Sequence, residues 1–543
     1  MIPGTMMDFP LTITHILRHG ARVYGDSECV TFRGETSERR TYREIASRAA
    51  RLANALRRLG IGEGDRVGTL MWNNGEHLEA YFAIPCMGAV AHTLNLRLFP
   101  DQLSYIINHA KDRVILFDGS VAPLLANIMG DIQEVEHFIL VGEGDVSGFP
   151  EEKVLRYEEL LAAESDAFEW VEPDERAAAA LCYTSGTTGN PKGVAYTHRS
   201  CFLHSLAASA VIGLNESERV LTIVPMFHAN GWGLPYAAFM IGSSLLMPDR
   251  YLQPEPLAKF IARDKPTISG AVPTIWAGLV QYGEKAPLDL SSLKRIVCGG
   301  AAVPRSLIVA LEKRYGVELI QGWGMTEMNP LGTLATPPAR VQRGTEEHVD
   351  YRALAGRIIP GVEARIMDAD GKELPWDGES VGELECRGPW VTARYYEADA
   401  PEKFRDGWLR TGDVASISSE GYVRITDREK DVIKSGGEWI SSVDLENIVM
   451  GFEGVAEAAV IAIPDDRWSE RPLACIVLKE GAKVDLSEIQ AVIGEKTTRF
   501  WIPEYFAFID EIPKTSVGKF DKKVLRARQL AGEFEVIRQE PAR

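Results

Sequence analysis

The chain has 543 residues, 45% hydrophobic and 25% charged, with a formal net charge of −18. At about 100–200 residues per domain, this is too long for one compact core and points to one large unit plus a small one, or to three or four units. The composition excludes a mostly disordered, collagen-like or coiled-coil chain, and the acidic balance argues against nucleic-acid binding through the phosphate backbone, while leaving room for a local basic pocket.

The seven cysteines (Cys29, Cys86, Cys182, Cys201, Cys298, Cys386, Cys475) are odd in number and form no CxxC pair. They read as reduced thiols, not as a disulfide framework or a zinc site. The first residues lack a basic segment followed by an apolar run, and no stretch approaches the roughly 18 apolar residues that span a bilayer. The expectation is a cytoplasmic protein with no integral membrane segment.

In chain order, Thr41-Tyr-Arg-Glu44 has capping-box form and opens a predicted helix with apolar positions Ile45, Ala49, Leu52, Leu56 and Leu59, stopped by Gly60. Short apolar runs at 67–71, 114–117 and 138–141 read as buried strands. The alternation continues with predicted strands at 178–184, 220–225, 244–247, 268–272, 295–298 and 317–320. Strands separated by helical stretches suggest parallel α/β layers. After about residue 355, turns such as Asp368-Ala-Asp-Gly371 and Trp376-Asp-Gly378 suggest a smaller, more antiparallel β unit. Residues 427–437 then lead into a last α/β segment about the size of a small domain.

Four clusters carry chemistry. Tyr183-Thr-Ser-Gly-Thr-Thr-Gly-Asn-Pro-Lys-Gly193 follows a predicted strand. Its glycines allow a tight turn that exposes N–H groups, the hydroxyls of Thr184, Ser185, Thr187 and Thr188 add donors, and Lys192 adds charge, which together suit a polyphosphate. It is no Walker A loop, because Pro191 stands where the second glycine belongs; a plain Gly/Ser/Thr surface loop is the alternative. Gln321-Gly-Trp-Gly-Met-Thr-Glu327 also follows a strand. Trp323 offers a face to a base, Thr326 a hydrogen bond to phosphate and Glu327 a carboxylate to Mg²⁺; a core Trp and a solvated Glu are the alternative. Thr411-Gly-Asp413 offers a carboxylate for two ribose hydroxyls, or is only a turn. Arg428 can reach ribose or phosphate, or form an exposed ion pair. Lys519, in Pro513-Lys-Thr-Ser-Val-Gly-Lys519, is on its own a lysine in a polar loop. Gly378-Glu-Ser-Val-Gly382 matches a nucleophile elbow but runs from a turn into a strand, the reverse of the required context. His198, His204 and His228 lack metal-ligand spacing.

Taken together and in this order, the clusters resemble the acyl-CoA synthetases of the adenylate-forming superfamily over nearly the whole chain, from about residue 8 to 530. His92-Thr-Leu-Asn-Leu-Arg-Leu, Val224-Pro-Met-Phe-His-Ala-Asn-Gly-Trp232, Trp323-Gly-Met-Thr-Glu-Met and Lys434-Ser-Gly-Gly-Glu-Trp-Ile-Ser-Ser442 are similar to medium- and long-chain fatty-acid CoA ligases and to bacterial methylthiopropionate ligases. The resemblance implies a large N-terminal domain of two parallel α/β layers plus a smaller β-rich subdomain (1–426), a hinge linker (427–432) and a small mobile α+β C-terminal domain (433–543). It implies a two-step reaction with ATP, Mg²⁺ and CoA: an acid becomes acyl-AMP, and the CoA thiol then displaces AMP.

Carried over by position, Thr184, Ser185, Gly186, Thr187, Thr188 and Lys192 would hold the pyrophosphate end of ATP. Thr326 would bind phosphate, and Glu327 with Thr184 would hold Mg²⁺. Gly299, Gly300, Ala301 and the run Gln321, Gly322, Trp323, Gly324, Met325 would frame the adenine. Asp413 and Arg428 would fix the ribose, and Lys519 would bridge carboxylate and phosphate. Lys430 would be the hinge residue, and Lys434, Ser435, Gly436, Gly437, Glu438 and Trp439 would border the CoA channel. His228 would lie beside the acyl carboxylate, and Trp232 resembles an aromatic gate on a fatty-acid tunnel; core residues are the alternative for both. Many relatives carry Tyr at position 323, so Trp should stack but loses the hydroxyl. Ala229 and Gly231 are smaller than the close relatives suggest, which leaves chain length open. A homodimer is implied. An adenylate-forming enzyme that does not use CoA is the competing class, disfavoured by Ser435-Gly-Gly.

Overall fold

The computed structural model describes residues 1–184, 190–428, 431, 433–435, 438–465, 467–515 and 520–540, with the backbone alone at Arg428, Lys434, Glu438 and Trp439. The capping box forms: Glu44 N–H donates to the Thr41 hydroxyl and Thr41 N–H to the Glu44 carboxylate, so the helix Tyr42–Arg58 starts where local chemistry dictates. Ile45, Ala49, Leu52 and Leu56 form its buried face.

Among the described residues, two large sheets sandwich a layer of helices. One has seven strands, in the order Val154–Arg156, His137–Val141, Asp112–Asp118, Arg66–Leu70, Val90–Thr93, Ala178–Tyr183, Gly193–Thr197. Its pairs are parallel except the last, which is antiparallel. The other has fourteen strands. Its parallel half runs through Glu318–Gly324, Arg295–Gly299, Ile268–Ala271, Arg219–Thr222, Ser244–Met247 and Glu28–Phe32. It passes into an antiparallel half after residue 330, which contains Gly382–Arg387, Trp408–Ile417 and Tyr422–Arg428. Every residue of the helix Gly75–Cys86 is buried, its Glu76 and Glu79 paired with Arg40. One hydrophobic cluster joins Val114 and Leu116 of one sheet to Val220, Leu245 and Ile320 of the other.

The strand Glu318–Gly324 extends beyond the predicted 317–320. Its backbone pairs in parallel with Arg295–Gly299 on one edge and antiparallel with Leu331–Leu334 on the other, so both edges stay satisfied past Ile320. Half of the cluster expected after a strand therefore lies in the strand. In the last hundred residues a four-stranded sheet, order Val455–Asp465, Ser469–Leu478, Tyr505–Phe508, Ile537–Arg538, builds its own core around Val460, Ile476, Ile489 and Phe506. All seven cysteines are buried and free. No described helix is long and apolar enough to cross a membrane.

Candidate functional site

A cavity of about 260 Å³ opens where the C-terminal ends of strands from both sheets meet. The seven-stranded sheet delivers Thr184 at the end of Ala178–Tyr183, and the returning strand brings Lys192 beside it. Thr184 N–H donates to the Lys192 carbonyl (2.9 Å) and Lys192 N–H to the Thr184 hydroxyl (3.2 Å). The fourteen-stranded sheet supplies Gly299, Gly322, Trp323 and Gly324. Only glycine fits at 324, because a Cβ there would overlap the Pro330 carbonyl.

At the polar end, Glu327 is buried. The Tyr395 hydroxyl donates to Glu327 Oε1 (2.7 Å), and Oε2 accepts no hydrogen bond among the described residues. Tyr196 holds the neighbouring backbone by donating to the Thr326 carbonyl (2.5 Å). The Lys192 ammonium lies 5.0 Å from the centre of the Tyr395 ring and 3.8 Å from the Glu402 carboxylate. Burial and the Glu327 charge both push the Tyr395 phenol upward, so it donates as a neutral group. Trp323 Nε1–H donates to Asp413 Oδ2 (2.8 Å).

The other end is apolar: Ile212, Trp232, Leu234, Ile268, Val297 and Leu331 line it. Trp232 arrives there by an unusual backbone. Ala229, Asn230, Gly231, Trp232 and Gly233 all have positive φ, from 37° to 68°. For a residue with a Cβ this costs about 1–2 kcal/mol each. Thr93 supports the turn by donating to Asn230 Oδ1 (3.0 Å). The result lays the indole on a glycine floor: Cβ atoms built at Gly299 and Gly270 would sit 3.4 and 3.6 Å from it. His204 backs this wall, accepting the Leu331 N–H (3.2 Å), and burial holds it neutral by lowering its pKa to about 3. A second cavity of about 70 Å³ lies beyond His228 and Trp232, which line both.

The structure thus brings together Thr184, Lys192, His228, Trp232, Gly299, Gly300, Gly322, Trp323, Gly324, Met325, Thr326 and Glu327 around one cavity, with Asp413 joined to it through Trp323. Ala301 and Gln321 are not in its lining; Gln321 turns its side-chain oxygen to the Val303 N–H (2.6 Å). Ser435 is buried in the last hundred residues and accepts from Arg471 (3.3 Å). Arg428, Lys434, Glu438 and Trp439 lie in strands. Ser185, Gly186, Thr187, Thr188, Lys430, Gly436, Gly437 and Lys519 lie outside the described residues. Sequence reasoning missed Tyr395 and Lys403, which also line the cavity. Tyr395 sits in an isolated bridge with Ala398 and Lys403 ends the single 3-10 turn Pro401–Lys403, both too short for a periodicity to mark them.

The profile of AMP-binding enzymes matches residues 17–396, and that of the AMP-binding enzyme C-terminal domain matches residues 444–519. A long-chain-fatty-acid–CoA ligase of Thermus thermophilus is 46% identical over 96% of this chain and 96% of its own length. A 3-methylmercaptopropionyl-CoA ligase of Ruegeria lacuscaerulensis is 44% identical over 96% of this chain and 98% of its own. The crystal structure of an anthranilate CoA ligase in complex with anthranoyl-AMP superposes with a TM-score of 0.87 at 28% identity, covering 97% of this chain and 99% of that one.

Proposed function

Because this chain belongs to the AMP-binding enzyme family and is an AMP-forming acid–thiol ligase that uses ATP, Mg²⁺ and CoA, we propose that its acid is a medium- to long-chain fatty acid admitted past Trp232. The observation that carries this reading is the strained turn that holds the Trp232 indole over Gly270 and Gly299 at the apolar end of the cavity. Strain of this kind persists where a position has a task. A second reading, a short sulfur-containing acid such as methylthiopropionate, is favoured by the same indole taken as a fixed wall between the main cavity and the one of about 70 Å³ beyond it.

In the first half-reaction a carboxylate oxygen attacks the α-phosphorus of ATP, and the bond to the bridging oxygen of pyrophosphate breaks. In the second the CoA sulfur attacks the acyl carbon, the bond to AMP breaks and the thiol proton is released. Such transfers depend on positioning and charge neutralisation. Thr184, Lys192 and the loop 185–188 would hold the triphosphate, Trp323 would stack on the adenine, and Asp413 and Arg428 would hold the ribose. Lys519 would neutralise the reacting oxygens, and His228 would lie at the acyl carboxylate. Glu327 and the Thr184 hydroxyl fit Mg²⁺, a hard cation that takes one or two carboxylates plus phosphates, since Glu327 offers a buried carboxylate whose Oε2 accepts no hydrogen bond among the described residues. When bound, the ion would neutralise phosphate charge. The stretch 427–432 would serve as the hinge between domains 1–426 and 433–543, with Ser435 and its neighbours at the CoA channel, in a cytoplasmic homodimer.

Acids of three to eighteen carbons, and methylthiopropionate, separate the two readings through AMP release with CoA. The fatty-acid reading expects kcat/KM to peak at eight or more carbons; a peak at three to five carbons sinks it. Trp232→Ala is expected to move the optimum toward longer chains under either reading, because removing the indole opens the floor. An unchanged optimum would show that Trp232 does not bound the acyl site.

Tyr395→Phe removes the donor to Glu327 and leaves the carboxylate in place. The expected outcome is a 10–100-fold weaker affinity for divalent cation, the usual effect of losing a partner of a metal-binding group. Mn²⁺ binding in the presence of a non-hydrolysable nucleotide measures it, and unaltered affinity would remove Tyr395 from this role.

A further inference from the structure

The strained turn at Ala229–Gly233 keeps its shape only while the chain entering it is fixed, because backbone strain persists where the surroundings over-determine it. That chain leaves the strand Arg219–Thr222 of the fourteen-stranded sheet, and a side chain from the seven-stranded sheet grips it. Asn73 follows the strand Arg66–Leu70 and is 4% exposed. Its Nδ2 amide donates to the Thr222 carbonyl (2.7 Å) and to the Val224 carbonyl (2.8 Å), and its Oδ1 accepts the Met226 N–H (2.8 Å). Both amide donors are used. Two carbonyls at the nitrogen and an N–H at the oxygen leave one orientation for the group.

Asn73 is itself held. Trp72 N–H donates to Asp118 Oδ2 (2.6 Å), and the Asn74 amide donates to Asp118 Oδ1 (3.1 Å). Asn74 also caps the helix Gly75–Cys86 by accepting the His77 N–H (2.9 Å). From that helix the Tyr81 hydroxyl donates to the Met226 carbonyl. Both backbone polar groups of Met226 are therefore taken by residues 153 and 145 positions away. The two sheets are tied at the point where the chain turns toward His228 and Trp232. Alanine at position 73 would remove three of these hydrogen bonds at once.

We propose that Asn73 is a positioning residue that sets acyl-chain specificity: its amide fixes the segment 222–226, and with it the place of Trp232 at the apolar end of the cavity. This rests on the reading that Trp232 bounds the acyl site. The test measures kcat and KM for acids of three to eighteen carbons, and KM for ATP, in three proteins. These are the wild type, Asn73→Ala, and a protein whose Met226 is replaced by its α-hydroxy acid, which turns one backbone N–H into an ester oxygen. Asn73→Ala is expected to lower the preference for the best acid over acids four carbons away about tenfold, through KM for the acid, while KM for ATP stays within about twofold. The ester removes a single bond and leaves every side chain in place, so it carries the test if Asn73→Ala does not fold; its expected loss of the same preference is about threefold. An equal fall in kcat for every acid, with the preference and both KM values intact, would overturn the inference and leave Asn73 a purely structural residue. A chain-length optimum that does not move in Trp232→Ala would instead overturn the reading of Trp232 itself.

Discussion

Lys519→Ala is expected to slow acyl-adenylate formation by about 10²–10³-fold, the effect of removing one preorganised charge from a reacting centre, about 2.7–4 kcal/mol. Thioester formation from supplied acyl-AMP should change far less, since by then the phosphoryl chemistry is over. Pyrophosphate–ATP exchange reads the first step, and CoA-dependent AMP release from synthetic acyl-AMP reads the second. The loop that carries Lys519 is bracketed by a bridge between Lys514 and Phe520 and by Asp521 N–H donating to the Pro513 carbonyl (2.7 Å). The helix that follows, Lys522–Leu530, is anchored by Lys522 on Glu446 (2.7 Å). Truncating the lysine leaves these supports in place, so lost activity would report chemistry and not unfolding. Equal damage to both half-reactions would refute the assignment of Lys519 to adenylation.

Glu327→Gln is expected to lower turnover by about 10²-fold or more, because it removes a negative charge in a site shielded from water, where charge counts most. The exchange conserves size, and the glutamine carbonyl can still accept from Tyr395, so the hydrogen bond of 2.7 Å survives in kind. The unfolding midpoint should therefore stay within a few degrees of the wild type, consistent with a change of well under a few kcal/mol. The concentration of Mg²⁺ for half-maximal rate should rise by more than about 100-fold, beyond the range expected from the lost partner in Tyr395→Phe. A variant with wild-type dependence on Mg²⁺ would remove Glu327 from the metal site. The contrast with Tyr395→Phe separates the charge from its orientation.

Features governed by neighbours in the chain were legible before the structure. The capping box at Thr41 and Glu44 places a helix start through two hydrogen bonds three residues apart. The apolar runs at 114–117 and 268–272 mark strands because a buried strand must be apolar on both faces. The hydroxyl-rich run after Tyr183 is marked only by composition, and its residues 185–189 lie outside the described residues. The turn at Ala229–Gly233 was not legible. Asn and two glycines hint at a turn, but left-handed Ala229 and Trp232 run against their local preference. Packing of the indole on glycine and the Thr93 bond to Asn230 override it.

The sequence by itself determined which chemical groups are available: hydroxyls, a lysine, carboxylates and an aromatic ring, and strands to carry them. Tertiary structure alone decided how they are coupled. Tyr395 meets Glu327 across 68 positions and Trp323 meets Asp413 across 90. Neither pair has a spacing that a helix or strand period could encode. Such contacts arise only when the sheet closes.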